Sequence, residues 1–145
     1  MVRLRAKIIL LVVAPILGAC SPAAGPGQPD NAVTHDAATR TTPVVVGRPA
    51  RVFVYAALGD DCAPLAPPEL RIVTPPAKGE LSFRSGQSTS IATATNPKCV
   101  GSSVSGTGLY YTAAANAEGS DRFTVEARLQ GGAVSSRVFE VRIER

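Results

Sequence analysis

The amino-acid sequence predicts an all-β domain, a β-sandwich of about seven strands over residues 43–145, carried behind a signal peptide and a flexible linker. Three observations predict it. From residue 43 onward, short runs rich in Val, Ile, Phe and Tyr alternate apolar with polar side chains. Glycine and proline separate these runs, and no stretch carries a convincing helical period. With 45% hydrophobic residues in 145, the chain can build one core and still have an extension to spare.

The extension comes first. Arg3, Arg5 and Lys7 precede an apolar run over residues 8–19, interrupted by Pro15 and followed by small side chains. Basic, apolar, then small is the order of a secretory signal. The run falls well short of the roughly 20 apolar residues that a membrane-spanning helix needs. This segment holds three of the 15 basic residues and none of the 11 acidic ones, so the remainder is close to neutral. Nowhere do Lys and Arg cluster among aromatics, which argues against nucleic acid as a partner.

Leu17-Gly18-Ala19-Cys20 resembles the lipobox of bacterial lipoproteins. The resemblance implies cleavage before Cys20, acylation of its thiol and new amino terminus, and anchoring in the cell envelope through the lipid. Two or more acyl chains hold a protein firmly where one binds marginally. Ser21 follows, where the resemblance would associate Asp with inner-membrane retention, and so points to the outer membrane. Ordinary secretion with cleavage near Ala23 or Ala24 is the alternative. With Cys20 assigned to lipid, Cys62 and Cys99 remain as a pair in an oxidising compartment, which predicts a structural disulfide. Closing the loop between them would restrict the unfolded chain by about 3 to 4 kcal/mol. Neither lies in a CxxC pair and no histidine is near, so zinc and thiol catalysis are poorly supported.

Residues 20–42 are rich in Pro, Ala, Gly and Thr, with Val33 the one large aliphatic side chain. Such a segment buries too little to offset its ordering entropy and reads as a tether. His35, the only histidine, lies within it. The strands follow. "PVVVG", "ARVFVYAAL" and "ELRIVT" are the first three; a turn over residues 75–79 delivers Leu81 and Phe83 into a fourth; "GLYYT" is a fifth. In "SDRFTVEARL", Phe123, Val125, Ala127 and Leu129 alternate with polar residues, and in "SSRVFEVRIER" Phe139, Val141 and Ile143 do so. Gly131-Gly132 between them supplies the positive φ angles of a tight hairpin. Such a strand count in about 100 residues is that of an immunoglobulin-type sandwich, with a small barrel as the alternative.

Pro76 with the turn to Leu81, Tyr111-Thr112-Ala113, and "GSDRFTV" from Gly119 to Val125 resemble the Ig-like and cadherin-like modules of bacterial surface proteins. The resemblance implies adhesion, spacing or protein binding rather than catalysis. Ala113 departs from it, since the family usually has proline there, as does the long insertion carrying Cys99.

Asp121, with Asp60, Asp61, Glu69 and Glu118, invites a calcium site. Calcium takes six to eight converging oxygens, and no DxDxDG-type loop is present. The expected role of Asp121 is to accept hydrogen bonds from backbone amides at its turn. "GSSVSG" lacks the second glycine of a nucleophile elbow, because Ser105 stands where it would be. Neither metal nor cofactor is expected. Residues 85–108, poor in large apolar side chains, read as a long loop that Cys99 pins to the loop of Cys62. Its candidate binding residues are Gln87, Thr89, Asn96, Lys98, Ser102 and Ser103; an edge strand near residues 90–95 is the alternative. These readings converge on a non-enzymatic, lipid-anchored envelope protein that binds a protein or glycan. The second reading is an anchored inhibitor or accessory subunit of an envelope enzyme.

Overall fold

The computed structural model describes residues 40–92 and 97–145. The segments expected as signal peptide and linker, up to residue 39, lie outside the described residues, as do Cys20 and Asn96. Seven strands form: β1 (Val44–Val45), β2 (Ala50–Tyr55), β3 (Glu69–Thr74), β4 (Gly79–Ser90), β5 (Ser103–Ala113), β6 (Gly119–Arg128) and β7 (Val134–Glu144). They make a four-stranded sheet in the order β1-β7-β6-β3 and a three-stranded sheet in the order β2-β5-β4. Every pairing is antiparallel except that of β1, which lies parallel to β7 with Val44 opposite Ile143.

The period-two pattern of the last two strands is realised. Phe123, Val125 and Ala127 of β6 and Phe139, Val141 and Ile143 of β7 are all buried. Gly131 and Gly132 turn the hairpin at φ of 100° and 89°, a conformation a Cβ would oppose. Leu129 departs from its expected place: β6 ends at Arg128, the Leu129 amide donates to Ala133 O within the turn, and the side chain is 40% exposed.

Between the sheets the core is largely aromatic. Tyr111 stacks on Phe123 at 5.8 Å, Phe123 on Phe139 at 5.4 Å, and Phe139 touches Phe53 at 5.8 Å, which meets Tyr55 edge-on at 4.9 Å. Such pairs contribute about 0.5 to 1.5 kcal/mol each beyond the area they bury. Val44, Val52, Leu109 and Val125 fill the spaces around them.

The chain is already bonded to the sandwich ahead of residue 43. Arg40 is half-buried, its amide donates to Val52 O at 2.9 Å, and its guanidinium donates to the carbonyls of Thr42 and Pro43. A larger correction concerns residues 85–108, expected as a loop. β4 continues to Ser90 and β5 starts at Ser103, with Ser90 opposite Ser103 and Thr89 opposite Val104. Only residues 91–102 remain as a connection. The alternation is present in "SVSG", where Val104 and Gly106 are buried and Ser103 and Ser105 exposed, but glycine gives it no apolar signature. Gly106 is needed for another reason: a Cβ there would lie 2.1 Å from Tyr55 O. Strand β5 can cross that close to β2 only without a side chain.

Candidate functional site

Both long connections gather at one end of the sandwich, where β2 and β4 finish and β3, β5 and β7 begin. Each is tied by its own backbone. In the first, Cys62 N donates to Gly59 O, Gly59 N to Ala63 O and Leu65 N to Ala57 O, while Asp61 Oδ1 accepts from Ala63 N. In the second, Ile91 N donates to Ser102 O and Gly101 N to Ile91 O, closing the base of the connection like two further rungs of the hairpin. A 3-10 turn, Pro97–Cys99, lies inside it. Cys62 and Cys99 join the two, with Cα atoms 5.3 Å apart. Cys99 is fully buried; Cys62 is half-exposed and takes a φ of 65°, which fits the tight turn after Asp61.

A cleft of about 260 Å³ opens beneath these connections. Phe53, Tyr55, Pro68, Ala127 and Leu129 give it apolar walls, and Thr89, Ser90, Ser135 and Arg137 give it polar ones. The Arg137 guanidinium lies 4.3 Å from the centre of the Phe53 ring, so a cation covers the aromatic face at the cleft. An apolar floor with a few hydroxyls and one fixed cation suits the docking of a small polar or acidic group at the edge of a larger partner surface.

The six binding residues expected from sequence do not form one cluster. Gln87 is engaged within the sheet: its Oε1 accepts from the Tyr110 hydroxyl at 2.7 Å and its Nε2 donates to Ser85 O at 3.3 Å. Thr89 lines the cleft. Lys98 is exposed on the 3-10 turn; Ser102 is half-buried and its backbone closes the connection; Ser103 is exposed at the start of β5. Asn96 lies outside the described residues. Phe53, Tyr55 and Arg137 went unnoticed because each sits in an alternating strand and reads there as ordinary core or ordinary surface.

The opposite end of the sandwich holds the one buried carboxylate among the described residues. Asp121, 5% exposed, accepts four hydrogen bonds: Oδ1 from the amides of Ala77 and Arg122, at 3.0 and 2.9 Å, and Oδ2 from the Lys78 amide and the Tyr111 hydroxyl, both at 2.8 Å. The amides come chiefly from the turn joining β3 to β4 rather than from the start of its own strand. Four donors match the four lone-pair sites of a carboxylate. Burial holds the Tyr111 hydroxyl well above its ordinary pKa, and the hydrogen bond to Asp121 and the charge of that carboxylate push it the same way. Asp61 and Glu118 belong to opposite ends of the domain, and among the described residues no three His, Cys, Asp or Glu come together as metal ligands would.

No family, curated protein or solved structure matches this chain.

Proposed function

We propose that the chain is a lipid-anchored protein of the bacterial cell envelope, attached through Cys20, whose Ig-like domain binds a protein or glycan without catalysing a reaction. The observation that carries the binding end of this reading is the disulfide: it fastens the two longest described connections together over a cleft floored by Phe53 and Tyr55. A surface restrained in this way loses little entropy when a partner arrives. The Ig-like reading is supported by strand order. In an immunoglobulin constant-type sandwich the second, fifth and fourth strands share one sheet and the third, sixth and seventh the other, as β2-β5-β4 and β7-β6-β3 do here. The first strand is the exception, since β1 joins β7 instead of β2.

Two measurements test the two halves of the proposal. Intact mass of the membrane-extracted protein should show a chain starting at Cys20 with added acyl mass, gaining about two protons on reduction. A chain starting near Ala24 without added mass would overturn the anchoring. For the binding end, a photo-crosslinking residue is placed at Lys98 or, at the far end of the sandwich, at Asn116. Adducts in intact cells from position 98 and not from position 116 are expected. Equal yields from both would refute the assignment of the disulfide end.

A further inference from the structure

The sandwich has four sheet margins, and they are defended unequally. β1 is only two residues long. Along β2, the incoming chain already bonds the Val52 carbonyl through the Arg40 amide. β3 is bracketed by Pro67-Pro68 and Pro75-Pro76 and its register shifts between Ile72 and Thr74. Prolines, bulges and short length are the usual means of keeping an edge from pairing. β4 has none of them over its first seven positions: Gly79 to Ser85 contains neither proline nor lysine, and among the described residues no strand lies beyond it.

Its side chains also look incomplete. Leu81 and Phe83 stand opposite Tyr111 and Leu109, both fully buried, yet Phe83 remains 38% exposed, with no strand on its open side among the described residues. On the other face, Arg84 stacks on Tyr110 with its guanidinium 4.2 Å from the ring centre, so it is held in place. Glu80 and Arg84 form no ion pair among the described residues.

We propose that β4 pairs antiparallel with β4 of a second copy of this chain, about a two-fold axis at Ser82, joining two three-stranded sheets into one. The sequence of the strand selects that register. Leu81 and Phe83 must stay on the core face, which permits shifts only in whole two-residue steps of pairing. With Ser82 opposite Ser82, Glu80 faces Arg84 of the other copy and Arg84 faces its Glu80. Leu81 faces Phe83 in the same way, twice, so each exposed phenylalanine edge gains a leucine. Centring on Leu81 instead would set Arg84 against Lys78. Centring on Phe83 would leave Glu80 against Gly86 and Leu81 against Ser85. Only the Ser82 register satisfies both faces.

The bulge limits the contact. The register shifts between Arg84 and Gln87, with Gly86 at φ 68°, and this bends the strand away from a straight ladder. A ladder of about seven residue pairs is small beside the roughly 1,200 to 2,000 Å² of stable interfaces, so the dimer is weak and concentration-dependent. The pairing uses residues 79–85, none of which lines the cleft, and does not rest on the anchoring or binding proposed above.

Ser82→Cys in the full chain provides the test. Cα atoms directly opposite each other on antiparallel strands lie about 4.5 to 5.5 Å apart, within the span of a disulfide. Mild oxidation should link S82C to itself in intact cells, while Arg71→Cys on the defended β3 edge stays unlinked. Light scattering of the purified protein should show a monomer–dimer equilibrium that Glu80→Arg weakens about tenfold. Adding Arg84→Glu to Glu80→Arg should restore it, and that rescue separates broken pairing from broken folding. The proposal fails if the wild-type chain is monomeric at every concentration, if S82C links no better than R71C, or if the double exchange does not recover the dimer. Linkage of S82C to a different polypeptide would also overturn it, and would assign the edge to a foreign strand.

Discussion

Replacing Asp121 by Asn changes one atom and should cost much of the domain's stability. The new amide group must occupy the place of one carboxylate oxygen. At the Oδ1 position it would confront the amides of Ala77 and Arg122, two donors that cannot turn away. At Oδ2 it faces the Tyr111 hydroxyl, which can reverse and accept, and the Lys78 amide, which cannot. The second arrangement is the cheaper, leaving one shielded amide unpaired at about 1 to 3 kcal/mol and turning the remaining charge-assisted bonds into neutral ones at about 1 kcal/mol each. The expected loss is about 3 to 6 kcal/mol, equivalent to a fall in Tm of at least about 12 °C for a domain of this size. The chain has no tryptophan, so urea unfolding followed by far-UV circular dichroism, with the disulfide intact, is the suitable assay. The midpoint should fall with unchanged slope. Tyr111→Phe should cost less, and less still in the D121N background, because the two residues share one bond. An Asp121→Asn variant within about 0.5 kcal/mol of wild type would refute the idea that this carboxylate ties the β3–β4 turn to the core.

The same site makes the domain sensitive to alkali. A hydroxyl whose pKa is raised by folding contributes stability that is complete below the unfolded value near 10 and is lost as pH rises above it, at about 1.4 kcal/mol per pH unit. Urea midpoints between pH 9 and 11.5 should therefore fall more steeply for wild type than for Tyr111→Phe; parallel slopes would contradict the assignment. Removing the disulfide as the Cys62→Ser, Cys99→Ser pair, across a separation of 37 positions, should lower stability by about 3 to 4 kcal/mol. A loss below about 1 kcal/mol in the same assay would mean that the backbone bonds of the two connections hold that end without it.

Legibility in the sequence followed the apolar side chains. "ELRIVT" became β3 with no change of bounds, and "RFTVEAR" and "VFEVRI" bury every second residue as their alternation requires, because Phe, Val and Ile announce the face they turn inward. The distal halves of β4 and β5 were hidden for the opposite reason. Ser, Thr and Gly carry no such announcement, and what makes "SGQSTS" a strand is the backbone of "SVSG" across from it, a fact about pairing and not about composition. Asp121 was legible as an acceptor of amides, but not its partners: Ala77 and Lys78 lie more than 40 positions away in sequence, and only the packing of the turn against β6 brings them within reach. The cleft was illegible altogether, since Phe53 and Arg137 meet across two sheets.

The parallel pairing of β1 with β7 decides how this domain carries tension. The N-terminal extension departs from one end of β1 and the chain beyond β7 from the opposite end, so a pull between them slides one strand along the other and strains their hydrogen bonds simultaneously. Strands loaded in that direction resist well, but the ladder here is short: Val44 and Val45 with the Val46 amide on Glu144 O, flanked by single bonds from the Arg40 amide to Val52 O and the Gly47 amide to Ala113 O. Under force the domain would yield first at its own entrance, releasing about 3.3 Å of slack per residue freed. The body behind it, crosslinked by Cys62 and Cys99, would stay folded. A two-residue strand thus serves as a shock absorber in series with whatever holds the chain.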